Sequence, residues 1–300
     1  MKTPRLFYTD QYILPLPSEH RFPIEKYRLL REMLEADGTF ALQPAPLADI
    51  ETIELIHDPE YVRAFVEGRL GESALRRIGF PWSDGLVQRT LASVGSTLAA
   101  TDEALASGWG GTLAGGTHHA FRAEGSGYCV FNDIAVAIAW LRSTHNVHRA
   151  AVVDLDVHQG DGTAEIFRDD PDVLTLSVHC KINFPFRKQT SRIDVELEAG
   201  IEDDAYLNTL ADTLPQIADF HPEIIFYQSG VDGLAEDRLG KLSLTHAGLQ
   251  ERDRRIVNLA KSLRVPLVIT LGGGYAKPIS LTVEAHANTF RTAYEEFRSG

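Results

Sequence analysis

The chain has 300 residues, 44% of them hydrophobic and 24% charged, with a formal net charge of −13. That balance fits a globular protein with ample apolar material for a core, and length alone allows one or two domains. A nucleic-acid surface needs clustered Lys and Arg, whereas Arg76-Arg77 and the stretch from Arg252 to Arg255 are short and interrupted. Cys129 and Cys180 cannot build a disulfide framework and fit a reducing compartment. No apolar segment follows Met1 as a secretory signal requires, and no run approaches the ~18 apolar residues of a membrane span. A cytoplasmic protein without a nucleic-acid partner or membrane span is expected. No linker, repeat or low-complexity tract divides the sequence, so residues 1–300 read as one domain.

In chain order, apolar runs alternate with amphipathic segments. A strand is expected over 6–8, a helix over 23–36 and a helix over 59–66. A long helix over 85–106 precedes a strand at 111–113, a helix at 132–142 and strands at 150–154 and 173–178. A helix over 203–220, a strand at 224–228, a helix over 245–263, a strand at 267–271 and a helix over 278–297 complete the reading. Continuous rather than alternating apolar strands, interleaved with helices, predict an α/β fold: a mostly parallel central sheet covered on both faces. Ligands of such sheets sit at the carboxyl ends of the strands. The unusual polar residues of this chain all follow expected strands: Thr117-His118-His119, Asp156-Val157-His158, Ser229-Gly230-Val231-Asp232 and Gly272-Gly273-Gly274-Tyr275.

Asp154-Leu155-Asp156-Val157-His158-Gln159-Gly160-Asp161-Gly162 is the most informative stretch. In an extended backbone Asp154, Asp156 and His158 project to one side. Such groups are costly to bury unless they are paired or bind a cation, and carboxylate and imidazole are ordinary zinc ligands. Asp232 is the natural third ligand after Asp156 and His158, although Asp beside Gly is also a common turn residue. His118 and His119, behind a glycine turn, suit proton transfer near neutral pH, and Asp154 and Asp161 could each fix one imidazole tautomer. Tyr275 ends a Gly-Gly-Gly run and could donate to a developing oxyanion; its bland reading is a packed ring. Cys129 reads as packing. Asp237 reads as a structural cap of the Arg238-Leu239-Gly240 turn.

Taken together, these residues resemble the zinc-dependent histone deacetylase family, with its acetylpolyamine amidohydrolase and acetoin-utilisation relatives. The matching pieces run in order: Ile56-His57-Asp58-Pro59-Glu60-Tyr61-Val62, His118-His119, Gly127-Tyr128-Cys129-Val130-Phe131-Asn132-Asp133, the Asp154–Gly162 run, Gly230-Val231-Asp232 and Gly272–Tyr275. His158-Gln159-Gly160 and Asp237-Arg238-Leu239-Gly240 look most like the class IV, histone deacetylase 11-like branch. The resemblance implies an arginase/deacetylase-like fold and a zinc ion on Asp156, His158 and Asp232. It implies His119, oriented by Asp161, as general base then acid, His118 paired to Asp154, and Tyr275 on the scissile carbonyl. Gly127 and Tyr128 would line an acyl tunnel, faced by Phe184 or Phe186. A structural K⁺ site would use Asp154 with carbonyls near Ser177 and Val178, and Lys26 is placed near an internal acetate channel.

The implied activity is removal of an acyl group, acetyl or longer, from the side-chain amine of lysine in a protein or peptide. Alternatives are an acetylpolyamine or other small N-acyl amine as substrate, and a non-enzymatic deacylase-like binding module. A binuclear manganese site of the arginase type is disfavoured, because Gly160 and Leu234 stand where further acidic ligands would be needed.

Overall fold

The computed structural model describes residues 3–17 and 19–299. Met1 and Lys2, part of the segment read above for a leader, lie outside the described residues. In chain order the strands are β1 (Arg5–Tyr8), β2 (Ala41–Pro44), β3 (Trp109–Thr112), β4 (Ala150–Asp154), β5 (Val173–Cys180), β6 (Ile193–Leu197), β7 (Ile224–Gln228) and β8 (Leu267–Thr270). They pair in parallel throughout, as one eight-stranded sheet in the order β2-β1-β3-β8-β7-β4-β5-β6. The helices are α1 (Glu25–Asp37), α2 (Ile50–Ile53), α3 (Pro59–Val66), α4 (Glu72–Ile78), α5 (Asp84–Ser107), α6 (Asp133–Thr144), α7 (Asp161–Ile166), α8 (Asp203–Thr213), α9 (Pro215–Phe220), α10 (His246–Leu263) and α11 (Ile279–Arg298).

Alternate residues of the central strands enter two separate cores. Ala151, Val153, Ile225, Tyr227, Leu267 and Ile269 join one cluster; Ala150, Val152, Ile224, Phe226 and Val268 join the other. Burial on both faces is why these strands read as continuous apolar runs. Helices α1, α10 and α11 pack together over the first core, and α5 with α6 over the second.

Local chemistry sets the helix ends. Asp58 accepts from the Glu60 and Tyr61 N–H groups at 2.9 and 3.0 Å, with Pro59 as first helical residue of α3. Ser83 caps α5 through Leu86 N–H and Thr245 caps α10 through Gly248 N–H. The expected helix over 203–220 is two helices, because Pro215 has no N–H to continue the ladder and starts α9 instead.

The edge strands β2 and β6 were not expected. Ile193–Leu197 alternates half-buried and exposed residues before its buried end, the pattern of a strand with a wet face rather than an apolar run. Helices α2, α4 and α7 are short and carry too few turns for a periodic signal. Chain order breaks between β3 and β4, with β8 and β7 inserted between them. The loops after β3, β4, β7 and β8 therefore converge on one rim, at the place where a doubly wound sheet opens a crevice.

Candidate active site

The loop after β3 carries His118 and His119. It is held by Asp133, the buried first residue of α6, whose carboxylate accepts from Gly116 N–H at 3.0 Å and Thr117 N–H at 2.7 Å. The hydroxyls of Thr97 and Thr117 donate to the same carboxylate at 2.6 and 2.5 Å. Four donors on one buried carboxylate fix this loop, and the sequence reading gave Asp133 no role. Its signal was Asn132-Asp133 opening a helix directly after an apolar run.

Both histidines are buried, with ring centroids 4.0 Å apart. His118 Nδ1 lies 2.7 Å from Asp154 Oδ2, and His119 Nδ1 lies 2.6 Å from Asp161 Oδ1. The two imidazoles differ electrically. Burial opposes charge on His118, but the carboxylates of Asp154 and Asp156 outweigh it and raise its pKa to about 9. Burial, then the neighbouring His118, lowers His119 to about 4 despite its bond to Asp161. The two rings are thus pushed in opposite directions: His118 toward the cation, His119 toward the free base.

The backbone does not stay extended through His158 as expected. β4 ends at Asp154 and the chain bends over 156–158, so Asp154 turns to His118 while Asp156 and His158 face Asp232. The ligand-type atoms of Asp156, His158 and Asp232 all lie within 4.8 Å of one another. His158 Nδ1 is 3.0 Å from both Asp156 Oδ1 and Asp232 Oδ2. Burial and Asp156 push the Asp232 carboxyl up to about 7, and the two carboxylates push His158 up to about 10 against its burial. The cluster draws in positive charge, and two carboxylates with one imidazole suit a zinc ion with a position left open for water.

Neighbouring backbone groups hold these side chains. Val157 N–H donates to Asp232 Oδ1 at 2.9 Å and Gly273 N–H to Asp156 Oδ2 at 2.6 Å. A Cβ on Gly273 would overlap the Asp232 carboxylate, so only glycine fits there. Buried Arg252 of α10 donates to the carbonyls of Gly230 and Leu155, at 2.6 and 3.3 Å, and so ties together the loops that bear Asp232 and Asp156.

Tyr275 lines the same cavity, of about 780 Å³, as both histidines, Asp156 and His158. Its N–H donates to Asp237 Oδ2 at 2.6 Å, while Asp237 Oδ1 accepts from Leu239 and Gly240 at 2.8 and 2.9 Å. The cap of the 238–240 turn is thus also the anchor of Tyr275, a second role that sequence reasoning missed. Lys26 is buried beside it, donating to Gly272 O at 3.1 Å with its ammonium 5.3 Å from the Tyr275 ring centre.

Of the two phenylalanines left open, Phe184 lies inside: its ring meets His119 edge-on at 5.0 Å and approaches Gly127. Phe186 is 91% exposed and sits at the mouth. Tyr128 lines the cavity and packs against Phe22 and Phe80 at 5.1 and 5.3 Å. Cys129 also borders the cavity, but burial pushes its thiol well up, which removes nucleophilic thiolate. Asp154 and Ser177 are direct partners in the β4–β5 register, with Val178 next along β5. The Asp154 carboxylate there is already engaged by His118 and by Asp156 N–H at 3.1 Å.

The family model described as Histone deacetylase domain matches residues 20–290. The chain belongs to the histone deacetylase family. An uncharacterized protein of Picosynechococcus sp. is 45% identical over 97% of this chain and 98% of its own length. Acetoin utilization protein AcuC of Bacillus subtilis is 31% identical, covering 85% of this chain and 73% of its own. Histone deacetylase 2 of Arabidopsis thaliana is 29% identical over 91% of this chain and 74% of its own. The crystal structure of an HDAC homolog from Aquifex aeolicus superposes with a TM-score of 0.82 at 26% identity, over 97% of this chain and 84% of that one. The arginase/deacetylase-type fold expected from the sequence is the fold observed. Among the described residues no helix is long and apolar enough to cross a membrane.

Proposed function

We propose that this chain is a zinc-dependent amidohydrolase that removes an acyl group from the side-chain amine of lysine. The observation that carries this reading is the pair of adjacent buried imidazoles, each tied through Nδ1 to its own carboxylate, in a cavity shared with Asp156, His158 and Tyr275.

A zinc ion held by Asp156, His158 and Asp232 would acidify a water molecule and polarise the amide carbonyl. His119, neutral and aligned by Asp161, takes the proton of the attacking water and then delivers it to the departing lysine nitrogen. His118, paired to Asp154 at 2.7 Å, polarises the water or the substrate. Tyr275 donates its hydroxyl to the carbonyl oxygen as negative charge develops there. Phe184, Gly127 and Tyr128 form the walls along the acyl-lysine stem. In this reading residues 1–300 act as one catalytic domain of the class IV, histone deacetylase 11-like branch, working in the cytoplasm, with a structural K⁺ beside Asp154, Ser177 and Val178.

The test is turnover of matched acetyl-, octanoyl- and myristoyl-lysine peptides, with acetylated polyamines alongside, by protein whose zinc content is measured. Release of acyl groups from lysine peptides is the expected result. Stoichiometric zinc without turnover of any substrate would make the chain a binding module, and turnover of polyamines alone would move it to the small-amine reading.

A further inference from the structure

The chain carries a net charge of −13, yet four exposed cations line the mouth of its cavity. Arg21, Arg76, Arg77 and Lys241 line it and are exposed. Among the described lining residues the only carboxylate is Asp156, at the metal cluster. The four cations come from three separated segments, each tied to a tunnel wall. Gly127 N–H and Tyr128 N–H donate to the carbonyls of Arg77 and Ile78 at 3.1 and 2.8 Å. Asn183, in the loop of Phe184, donates to Leu239 O at 2.8 Å, two residues before Lys241. Phe22, next to Arg21, packs on Tyr128 at 5.1 Å.

Arg76 and Arg77 meet Glu72 and Glu124 at 3.3 and 3.2 Å, but all four side chains are at least 48% exposed. Exposed pairs of this kind contribute only ~0–1 kcal/mol, so an incoming carboxylate can exchange with the glutamates. The apolar side chains at the mouth, Ile182 and Phe186, are 57% and 91% exposed and offer contact area without charge.

We propose that the mouth selects acyl-lysine lying in an acidic peptide segment, with Arg21, Arg76, Arg77 and Lys241 reading carboxylates on either side of the modified lysine. This inference rests on the proposed deacylase reading of the site. It predicts that lysine-rich and arginine-rich peptides, and cationic polyamines, are disfavoured by like charge. Rim charges act mainly on encounter and ground-state binding, so KM carries the effect and kcat does not.

The experiment compares two peptides with the same acyl-lysine, one flanked by Asp and Glu, the other by Lys and Arg. In low salt the acidic peptide should show a kcat/KM at least about tenfold higher, through KM. The gap should shrink below about threefold in 0.5 M salt, where the screening length falls to a few ångströms. The variant carrying Arg76→Glu and Lys241→Glu should lose or invert the preference while retaining kcat on a neutral peptide. Equal use of the two peptides, or preference for the basic one, overturns the proposal. Peptide affinity of the His119→Ala protein, read by fluorescence anisotropy, gives the same comparison without chemistry. A binding preference without turnover in the parent protein refutes the deacylase reading and leaves the acidic-segment selection standing. Sedimentation with anionic vesicles, together with indifference to peptide charge, would assign the mouth to a lipid surface and overturn the proposal.

Discussion

Replacing Asp237 by Asn tests how Tyr275 is held. The carboxylate accepts three N–H groups: Leu239 and Gly240 on Oδ1 and Tyr275 on Oδ2, the last at 2.6 Å. An amide has one acceptor oxygen. If that oxygen keeps the 239–240 turn, its NH₂ group faces the Tyr275 N–H, and donor meets donor. A hydrogen bond to a charged group contributes roughly 1.5–3 kcal/mol, so Tyr275 should lose its fixed position by about that margin. One oxyanion donor is worth ~10²–10³ in kcat, and a partly displaced one should cost about 10–100-fold. The expected result for Asp237→Asn is that fall in kcat, with KM changed less than about threefold and zinc content unchanged. The decisive assay is the double-mutant cycle with Tyr275→Phe, measured on one good acyl-lysine peptide. If Asp237 acts through the tyrosine hydroxyl, adding Asp237→Asn to Tyr275→Phe should cost almost nothing further. An equal fall in both backgrounds, or a kcat within threefold of the parent for Asp237→Asn alone, refutes the reasoning.

Asp232→Ala should leave a folded protein with strongly reduced zinc content by elemental analysis, because Asp156 and His158 alone cannot hold a catalytic ion well; normal occupancy removes Asp232 from the cluster. His119→Ala should lose more kcat than His118→Ala, since only His119 moves a proton in both directions, and the reverse order would show that the roles are exchanged. Gly273→Ala should lower both zinc content and melting temperature, as its methyl group would occupy the space of the Asp232 carboxylate; a zinc-replete, normally stable variant contradicts that packing. His57 is buried with Nδ1–H donating to Arg122 O at 3.1 Å and Nε2 accepting Asn132 N–H at 2.8 Å, and burial lowers its pKa to about 4. Below pH ~6.5 the unfolded chain binds this proton and the folded chain does not, so stability is full at pH 7 and falls as pH drops toward 4, by about 3 kcal/mol from this residue. Urea unfolding from pH 7 to 4.5 should show a smaller fall for His57→Gln, whose amide can make the same two bonds without a proton to gain; an unchanged pH slope counts against His57 as a source.

Local sequence determined the central fold because its signal is local. β4 and β7 begin and end where the apolar runs 150–154 and 224–228 do, and α3 starts at the Asp58-Pro59 cap. Strands buried on both faces announce themselves without knowledge of their partners, and caps involve residues two or three apart. The polar groups at strand ends were legible for the same reason: Asp156, His158, Asp232 and Tyr275 stand immediately past apolar runs, where nothing in a core explains them.

Only tertiary structure decided what depends on distant residues. The pairing of Asp154 with His118 was already implied by the resemblance, but Asp154 was also expected to face the same way as Asp156 and His158, and only the end of the strand at Asp154 turns it away from them. Asp237 anchors Tyr275 across 38 positions, and Asp133 gathers donors from Thr97, Gly116 and Thr117. Phe184 and Phe186 are two residues apart with similar neighbours, and only the fold of the loop sends one to His119 and the other to solvent. The cationic mouth was hidden because no run of charge encodes it: three dispersed segments meet there, in a sequence whose overall charge points the other way. Periodicity and capping report on the nearest few residues, whereas a buried carboxylate's partners and the sign of a rim are set by which chain ends the sheet order brings together.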